Sequence, residues 1–267
     1  MADTVLYEVR DGLATITINR PEAMNAMDIA TKVALREALT AAGDDSAVRG
    51  VLLTAAGDRA FCVGQDLKEH TALLAEDART GGDRTMTTVR EHYNPIVRAI
   101  TGMAKPVVAG VNGVAAGAGL GFALAADYRI AADTASFTTS FAGVALTADS
   151  GISWTLPRLV GRGRATDLLL FPRSVGAAEA HAWGMVDRLV PAAEVAETAA
   201  RVAAELAAGP TVAYAALKES LAYGAEHSLA ETLEKENELQ TRAGSSQDHR
   251  IALRAFLAKE RPHYLGR

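Results

Sequence analysis

Residues 107–126 read VVAGVNGVAAGAGLGFALAA, a run in which Asn112 is the one polar side chain. A hydropathy window marks such a run as a membrane span. Its contents argue otherwise. It opens after Lys105-Pro106, holds Gly110, Gly113, Gly117, Gly119 and Gly121, and contains the Asn112-Gly113 pair, which is turn chemistry rather than a continuous helix. The stretch divides into a buried strand over 107–111, a glycine-rich turn, and a buried helix that begins near Gly119. A strand turning directly into a helix under such small residues belongs to a globular α/β core.

Working outward, strands and helices interleave. Two period-2 segments, 4–9 and 14–18, flank Asp11-Gly12, the signal of a hairpin. Segment 28–42 places Ile29, Val33, Leu35 and Leu39 at helical spacing with charge between them, and 49–54 is a further buried strand. A loop over 55–65 leads to a polar, mobile connection at 80–84 and a helix over 87–103. Strands follow at 128–132 and 135–139, helices at 161–171 and 177–183, and a last strand at 186–190. Beyond Pro191 the pattern is helical, over 194–208, 211–223, 228–243 and 248–259. The expected organisation is an α/β core over 1–191 that carries the site, and a helical C-terminal region over 192–267.

Composition narrows the function. At 267 residues with 49% hydrophobic and 22% charged content, the chain can bury roughly 70–75% of its unfolded surface, so it is neither disordered nor dependent on a staple. A single cysteine, Cys62, excludes an internal disulfide and a cysteine-rich metal site. The N-terminal MADTVLYEVRDG lacks the basic start and apolar run of a signal peptide, and a cytoplasmic protein is expected. A formal net charge of −5 offers no basic face for nucleic acid. The six histidines form neither HxxxH nor HExxH spacing, so no metal is expected. No GxSxG elbow exists, and Gly117-Ala118-Gly119-Leu120-Gly121 is not a dinucleotide fingerprint. Those glycines fit either close packing of helix on strand or an oxyanion hole, in which backbone N–H groups at a strand-to-helix turn meet a carbonyl that becomes negative.

A second loop bears on that choice. Phe61-Cys62-Val63-Gly64-Gln65-Asp66-Leu67, together with Asn112 to Gly119, resembles the two signature loops of the crotonase, or enoyl-CoA hydratase/isomerase, superfamily. The resemblance runs the length of the chain. Asn19-Arg20-Pro21-Glu22 with Asn25-Ala26-Met27, Arg158-Leu159-Val160-Gly161, Trp183-Gly184-Met185-Val186 and Phe256-Leu257-Ala258-Lys259-Glu260-Arg261 are similar to further family motifs. It implies an α/β spiral of ββα units, a helical C-terminal region that forms a trimer or a hexamer built as a dimer of trimers, and acyl-CoA substrates. CoA would arrive on the substrate, with no other cofactor, and neither nucleic acid nor membrane would be a partner. By the same resemblance the amides of Val63 and Ala118 form the oxyanion hole. Asn25, Ala26, Met27, Gln65, Asp66, Leu67, Lys68, Gly117, Phe141 and Lys259 would bind CoA or the acyl group.

The departures from the family pattern carry the most information. Hydratases of the family use two glutamates to hold and add water, and this chain has Gly121 and Phe141 in their places. General acid–base catalysis needs a titratable group within reach, so ordinary hydration is disfavoured. One acid does stand at a family functional position. Asp149, in Ala148-Asp149-Ser150-Gly151-Ile152-Ser153-Trp154-Thr155, resembles the P-D-S-G-G-T-W segment of the 2-(1,2-epoxy-1,2-dihydrophenyl)acetyl-CoA isomerases, although Ala148 and Ile152 depart from it. Tyr93-Asn94-Pro95 and Ala243-Gly244-Ser245 fit the same subgroup. The expectation is an acyl-CoA isomerase in which Asp149 shuttles a proton and carries a raised pKa. The alternatives are an N-cap role for Asp149, hydration by a different residue set, a dehalogenase-like hydrolase related to the 4-chlorobenzoyl-CoA enzymes, and a catalytically silent acyl-CoA binder. The dehalogenases use a histidine where this chain has Asn94 and a tryptophan where it has Phe141.

Overall fold

A computed structural model describes residues 3–267. Ten strands run in chain order: β1 (Val5–Arg10), β2 (Leu13–Ile18), β3 (Gly50–Ala55), β4 (Ala60–Cys62), β5 (Val107–Val111), β6 (Val114–Ala116), β7 (Tyr128–Ala132), β8 (Ser136–Thr138), β9 (Val175–Gly176) and β10 (Arg188–Val190). They form two sheets, ordered β1-β2-β3-β5-β7-β10 and β4-β6-β8-β9. The hairpin at the start closes on Asp11 and Gly12, both at positive φ, the geometry that matches a two-residue turn to strand twist. From β2 onward the large sheet is parallel, and its central strands β3, β5 and β7 are buried on both faces, as an apolar run requires.

The two sheets are filled alternately. β3, β5 and β7 each enter the large sheet, and the strand that follows each one, β4, β6 or β8, enters the small sheet. A helical segment then returns the chain to begin the next turn, so the ββα unit repeats and advances as a spiral. Val51, Leu53, Val107, Val108 and Ile130 form one continuous core with Leu35 and Leu39 of the helix Ile29–Asp44. The helix Val195–Ala207 also packs on this sheet, against β3, β5 and β7. Three further helices, Thr211–Gly224, Leu229–Gly244 and Gln247–Ala258, complete the C-terminal part.

Three local details go beyond the expected pattern. The chain between 67 and 80 is a helix, Leu67–Thr80, with no buried residue, which explains its weak apolar pattern. In the 80–84 connection Gly81 caps the helix, and the Asp77 carboxylate accepts from Thr85 N and Oγ1 at 2.8 and 2.6 Å. The helix expected over 87–103 is three segments, Arg84–Thr88, a π-helical turn Val89–Tyr93, and Asn94–Gly102. The π turn is marked by Asn94 N–H donating to the Val89 carbonyl, and it rotates Tyr93 into the interior.

Candidate active site

The parallel pairing of β4 with β6 sets the first half of the site. Ala60 pairs with Val114 and Cys62 with Ala115, so Val63 and Gly117-Ala118 leave the small sheet side by side. Ala118 opens the buried helix Ala118–Ala125, where first-turn N–H groups have no partner in the helix. Among the described residues neither Val63 N–H nor Ala118 N–H donates to an acceptor. Gly119 is needed here because a Cβ on it would collide with the Cys62 carbonyl. The close-packing reading of the glycine-rich turn holds, and the Val63 and Ala118 N–H groups lie at that contact.

The neighbouring loop is clamped into place. Met27 N–H donates to Gly64 O at 2.8 Å and Asp66 N–H to Met27 O at 3.1 Å. The Arg20 guanidinium reaches Ala26 O at 2.6 Å and Asp66 Oδ2 at 3.0 Å, and it pairs with Asp28 at 3.2 Å. Asn25 is buried, and its amide is committed to Ala56 O, Ala60 O and Arg20 N, so its work is to hold the loops together. Ala26 and Met27 are buried beside it. Asp66 caps Leu67–Thr80 by accepting from Lys68 and Glu69 N–H; these bonds and Arg20 outweigh burial and hold its carboxyl below the usual range. Leu67, Lys68 and Lys259 are exposed, and neither lysine has an acidic partner among the described residues. Lys259 sits past the end of the helix Gln247–Ala258, at positive φ.

Asp149 supplies the second half. The helix that follows it, Ile152–Val160, begins after Gly151 without a side-chain cap, so the N-cap alternative is overturned. The Asp149 carboxylate instead accepts from Ser150 Oγ at 2.7 Å. Burial pushes its pKa up, partly offset by that bond and by the Lys32 ammonium. Gly121 lies directly behind, on the buried helix, with Ser150 against it. Phe141 is buried at the end of the segment after β8.

Between these halves stand Tyr93 and Lys32. The Tyr93 hydroxyl donates to Gln65 Oε1 at 2.6 Å, and its ring meets Phe122 edge-on at 5.9 Å. Burial raises the Tyr93 pKa, and Asp149 and Cys62 add to the shift, so the phenol remains a donor. Burial likewise pushes the Cys62 thiol up to about 12, which removes it as a nucleophile. Lys32 was hidden in the sequence, where it looks like one of the solvated charges of its helix. Trp154 lies outside this cluster, exposed with Arg158 stacked 4.0 Å over its ring. Among the described residues no three of His, Cys, Asp and Glu gather to hold a metal ion.

A family model described as "Enoyl-CoA hydratase/isomerase" matches residues 8–267. A Rhodobacter capsulatus protein named probable enoyl-CoA hydratase is 42% identical over 99% of this chain and 98% of its own. The 1,2-epoxyphenylacetyl-CoA isomerase of Escherichia coli is 38% identical over the full length of both. A crystal structure of a Mycobacterium abscessus protein described as an enoyl-CoA hydratase/isomerase superposes with a TM-score of 0.94 at 47% identity, covering 98% of this chain and 100% of that one.

Proposed function

The chain belongs to the enoyl-CoA hydratase/isomerase family, and from that premise we propose that it is an acyl-CoA isomerase whose proton shuttle is Asp149. The observation that carries this is one half-buried carboxylate without a charged partner in contact among the described residues. Asp149 has a raised pKa and only a neutral hydroxyl as partner, while the two positions that would hold water-adding glutamates are Gly121 and Phe141. Its surroundings suit a group that must both accept and return one proton.

The chemistry follows from the two halves of the site. Asp149 takes a proton from the carbon next to the thioester carbonyl or from its vinylogue. The electron pair moves onto the thioester oxygen, where the Val63 and Ala118 N–H groups and the positive end of the helix Ala118–Ala125 stabilise it. Collapse of the enolate returns the same proton at another carbon, which moves a double bond or reshapes an epoxide-derived ring. Water is neither consumed nor released, and CoA enters only as part of the substrate. Gln65, Gly117 and the exposed Lys68 and Lys259 are the positions proposed to meet the CoA portion, with Phe141 on the acyl group. Phenylacetate-type ring substrates and a cytoplasmic setting belong to this reading.

Assembly into a trimer or hexamer is also proposed. Leu217, Leu221, Leu229 and Leu233 are exposed on Thr211–Gly224 and Leu229–Gly244, beside a groove of about 650 Å³, and Phe256 and Leu257 are exposed on the last helix. An apolar surface of this kind calls for a partner, here a second copy of the chain. Light scattering of the purified protein tests it, and a monomer would remove it.

The activity is tested with a 3-enoyl-CoA in heavy water. The expected product is the conjugated 2-enoyl-CoA with no added water, formed by the wild type and not by Asp149→Asn. A water adduct would replace this reading with hydration by another residue set. Binding of the ester without turnover would replace it with a silent binder.

A further inference from the structure

Asp149 is followed by a tight turn of an uncommon hand. Its carbonyl accepts from Ile152 N–H at 3.0 Å, and the two residues between them, Ser150 and Gly151, both have positive φ, 50° and 75°. Such a turn favours glycine or asparagine at its first central position, because other side chains crowd the backbone there. Serine is the costly choice. Packing gives no reason for it: Ser150 is 1% exposed, and a Cβ on Gly121 of the helix Ala118–Ala125 would lie 2.5 Å from its Cβ. From the helix Asn94–Gly102, Val97 closes on Gly151, where a Cβ would meet it at 3.3 Å. A glycine at 150 would ease both the backbone and the contact with Gly121.

What serine adds is a hydroxyl. An ionised carboxylate can only accept, so Ser150 Oγ donates to Asp149 Oδ1, at 2.7 Å. Oδ2 has no partner among the described residues, yet it is not sealed off: the buried side-chain polar atoms without a partner there are His92 Nδ1, Asn112 Oδ1 and Arg129 Nε. The two oxygens are therefore unlike, one engaged and one open. Lys32 and Tyr93 are the charged and titratable side chains that bear on the carboxylate. Each is bonded elsewhere, the ammonium to Thr88 Oγ1 at 2.8 Å and the phenol to Gln65 Oε1 at 2.6 Å.

We propose that Ser150 is a positioning residue for Asp149: its hydroxyl holds Oδ1, fixes the plane of the carboxylate and leaves Oδ2 as the atom that takes and returns the substrate proton. This rests on the isomerase reading for its catalytic meaning, while the contact itself is tested apart from turnover. The proton passes from the substrate carbon to Oδ2, the electron pair moves to the thioester oxygen, and both return when the enolate collapses. Without the hydroxyl the carboxylate turns about its side-chain torsions, and fewer of its orientations bring an oxygen within reach of the reacting carbon. The same bond favours the anion, so its loss makes the carboxylate harder to form.

The test uses Ser150→Ala, which removes the hydroxyl and keeps the Cβ, and Ser150→Gly, which removes the hydroxyl and eases the turn, so that loss of function is separated from loss of fold. In isomerisation of a 3-enoyl-CoA, both are expected to lose about tenfold in kcat on the pH plateau, with KM changed by less than about twofold. The acid limb of kcat/KM is expected to move up by about one pH unit. The second readout needs no turnover. Asp149→Asn should raise the melting temperature at pH 7 more in the Ser150→Ala background than in the wild type, because the carboxylate there has lost its donor. The two rises should converge toward pH 4, whereas a serine that only packs gives equal rises at every pH. Equal rises at pH 7 overturn the inference whatever the rates, and so does a Ser150→Ala enzyme with wild-type kcat on the plateau. Unequal rises in a protein that isomerises no 3-enoyl-CoA leave the coupling of the two side chains intact and overturn the proposed function instead.

Discussion

Gly121 and Ser150 stand so close that nothing larger than hydrogen fits between them: a Cβ on Gly121 would lie 2.5 Å from Ser150 Cβ and 2.7 Å from its carbonyl oxygen. The helix Ala118–Ala125 therefore rests directly on the loop that presents Asp149, and the missing glutamate at 121 is a packing requirement as well as a missing acid. Gly121→Ala is expected to destabilise the fold by about 1–3 kcal/mol, since overpacking forces backbone to move. Gly121→Glu should not create a hydratase. Thermal melts and the mass of the product from a 2-enoyl-CoA check both, and a stable Gly121→Glu variant that adds water would refute the steric account.

Ala118 is the first residue of its helix, and its N–H has no acceptor among the described residues. Proline is tolerated at that position of a helix because the N–H it removes is not used there. Ala118→Pro takes away one donor of the proposed oxyanion hole. Turnover is expected to fall by about 10²-fold or more, with only a small change in melting temperature. A variant that keeps near-normal turnover would mean that Ala118 is not part of the hole.

Tyr93 donates to Gln65 and is kept from ionising by burial and by the negative charge of Asp149. Tyr93→Phe loses one hydrogen bond, a change of about 1 kcal/mol, and frees the Gln65 side chain beside the oxyanion loop. The effect should fall mainly on KM. Because the phenol does not ionise in the working range, the alkaline limb of the rate profile should coincide in wild type and variant. A limb present in the wild type and missing in Tyr93→Phe would make Tyr93 a titrating participant.

How far these features could be read from residues alone differs by kind. The interleaved strands and helices of the large sheet were legible because apolar runs and turn residues are local signals. The hairpin at Asp11-Gly12 and the strand Val107–Val111 appear where they were expected. Leu67–Thr80 was not legible, because a helix with no buried face leaves no stripe. Lys32 was misread for a different reason. The buried face of its helix is Thr31, Lys32, Leu35, Ala38, Leu39 and Ala42, a helical repeat in which the lysine holds a core position, whereas Ile29 and Val33 are only half-buried. The spacing was present, but hydropathy assigned the charge to solvent. Asn25 shows the limit of carrying over a motif: its position is recognisable, and only the hydrogen bonds reveal that its side chain holds loops.

Asp149 should also weaken the fold at neutral pH. Its pKa is raised in the folded state by burial, so between the ordinary aspartate value and that raised value the unfolded chain gives up its proton first. Folded stability from this group is fully present below the unfolded pKa and is lost as pH rises through the folded one. Asp149→Asn keeps an acceptor for Ser150 Oγ and removes the ionisation, so it should stabilise the protein at pH 7 by on the order of 1 kcal/mol while abolishing turnover. The advantage should shrink as the pH falls toward 4 and the wild-type carboxyl becomes protonated in both states. Melting temperatures of the two proteins across that range decide it. A variant less stable than wild type at pH 7 would mean that the Asp149 carboxylate contributes to folding, which is inconsistent with a group held in a costly state for catalysis.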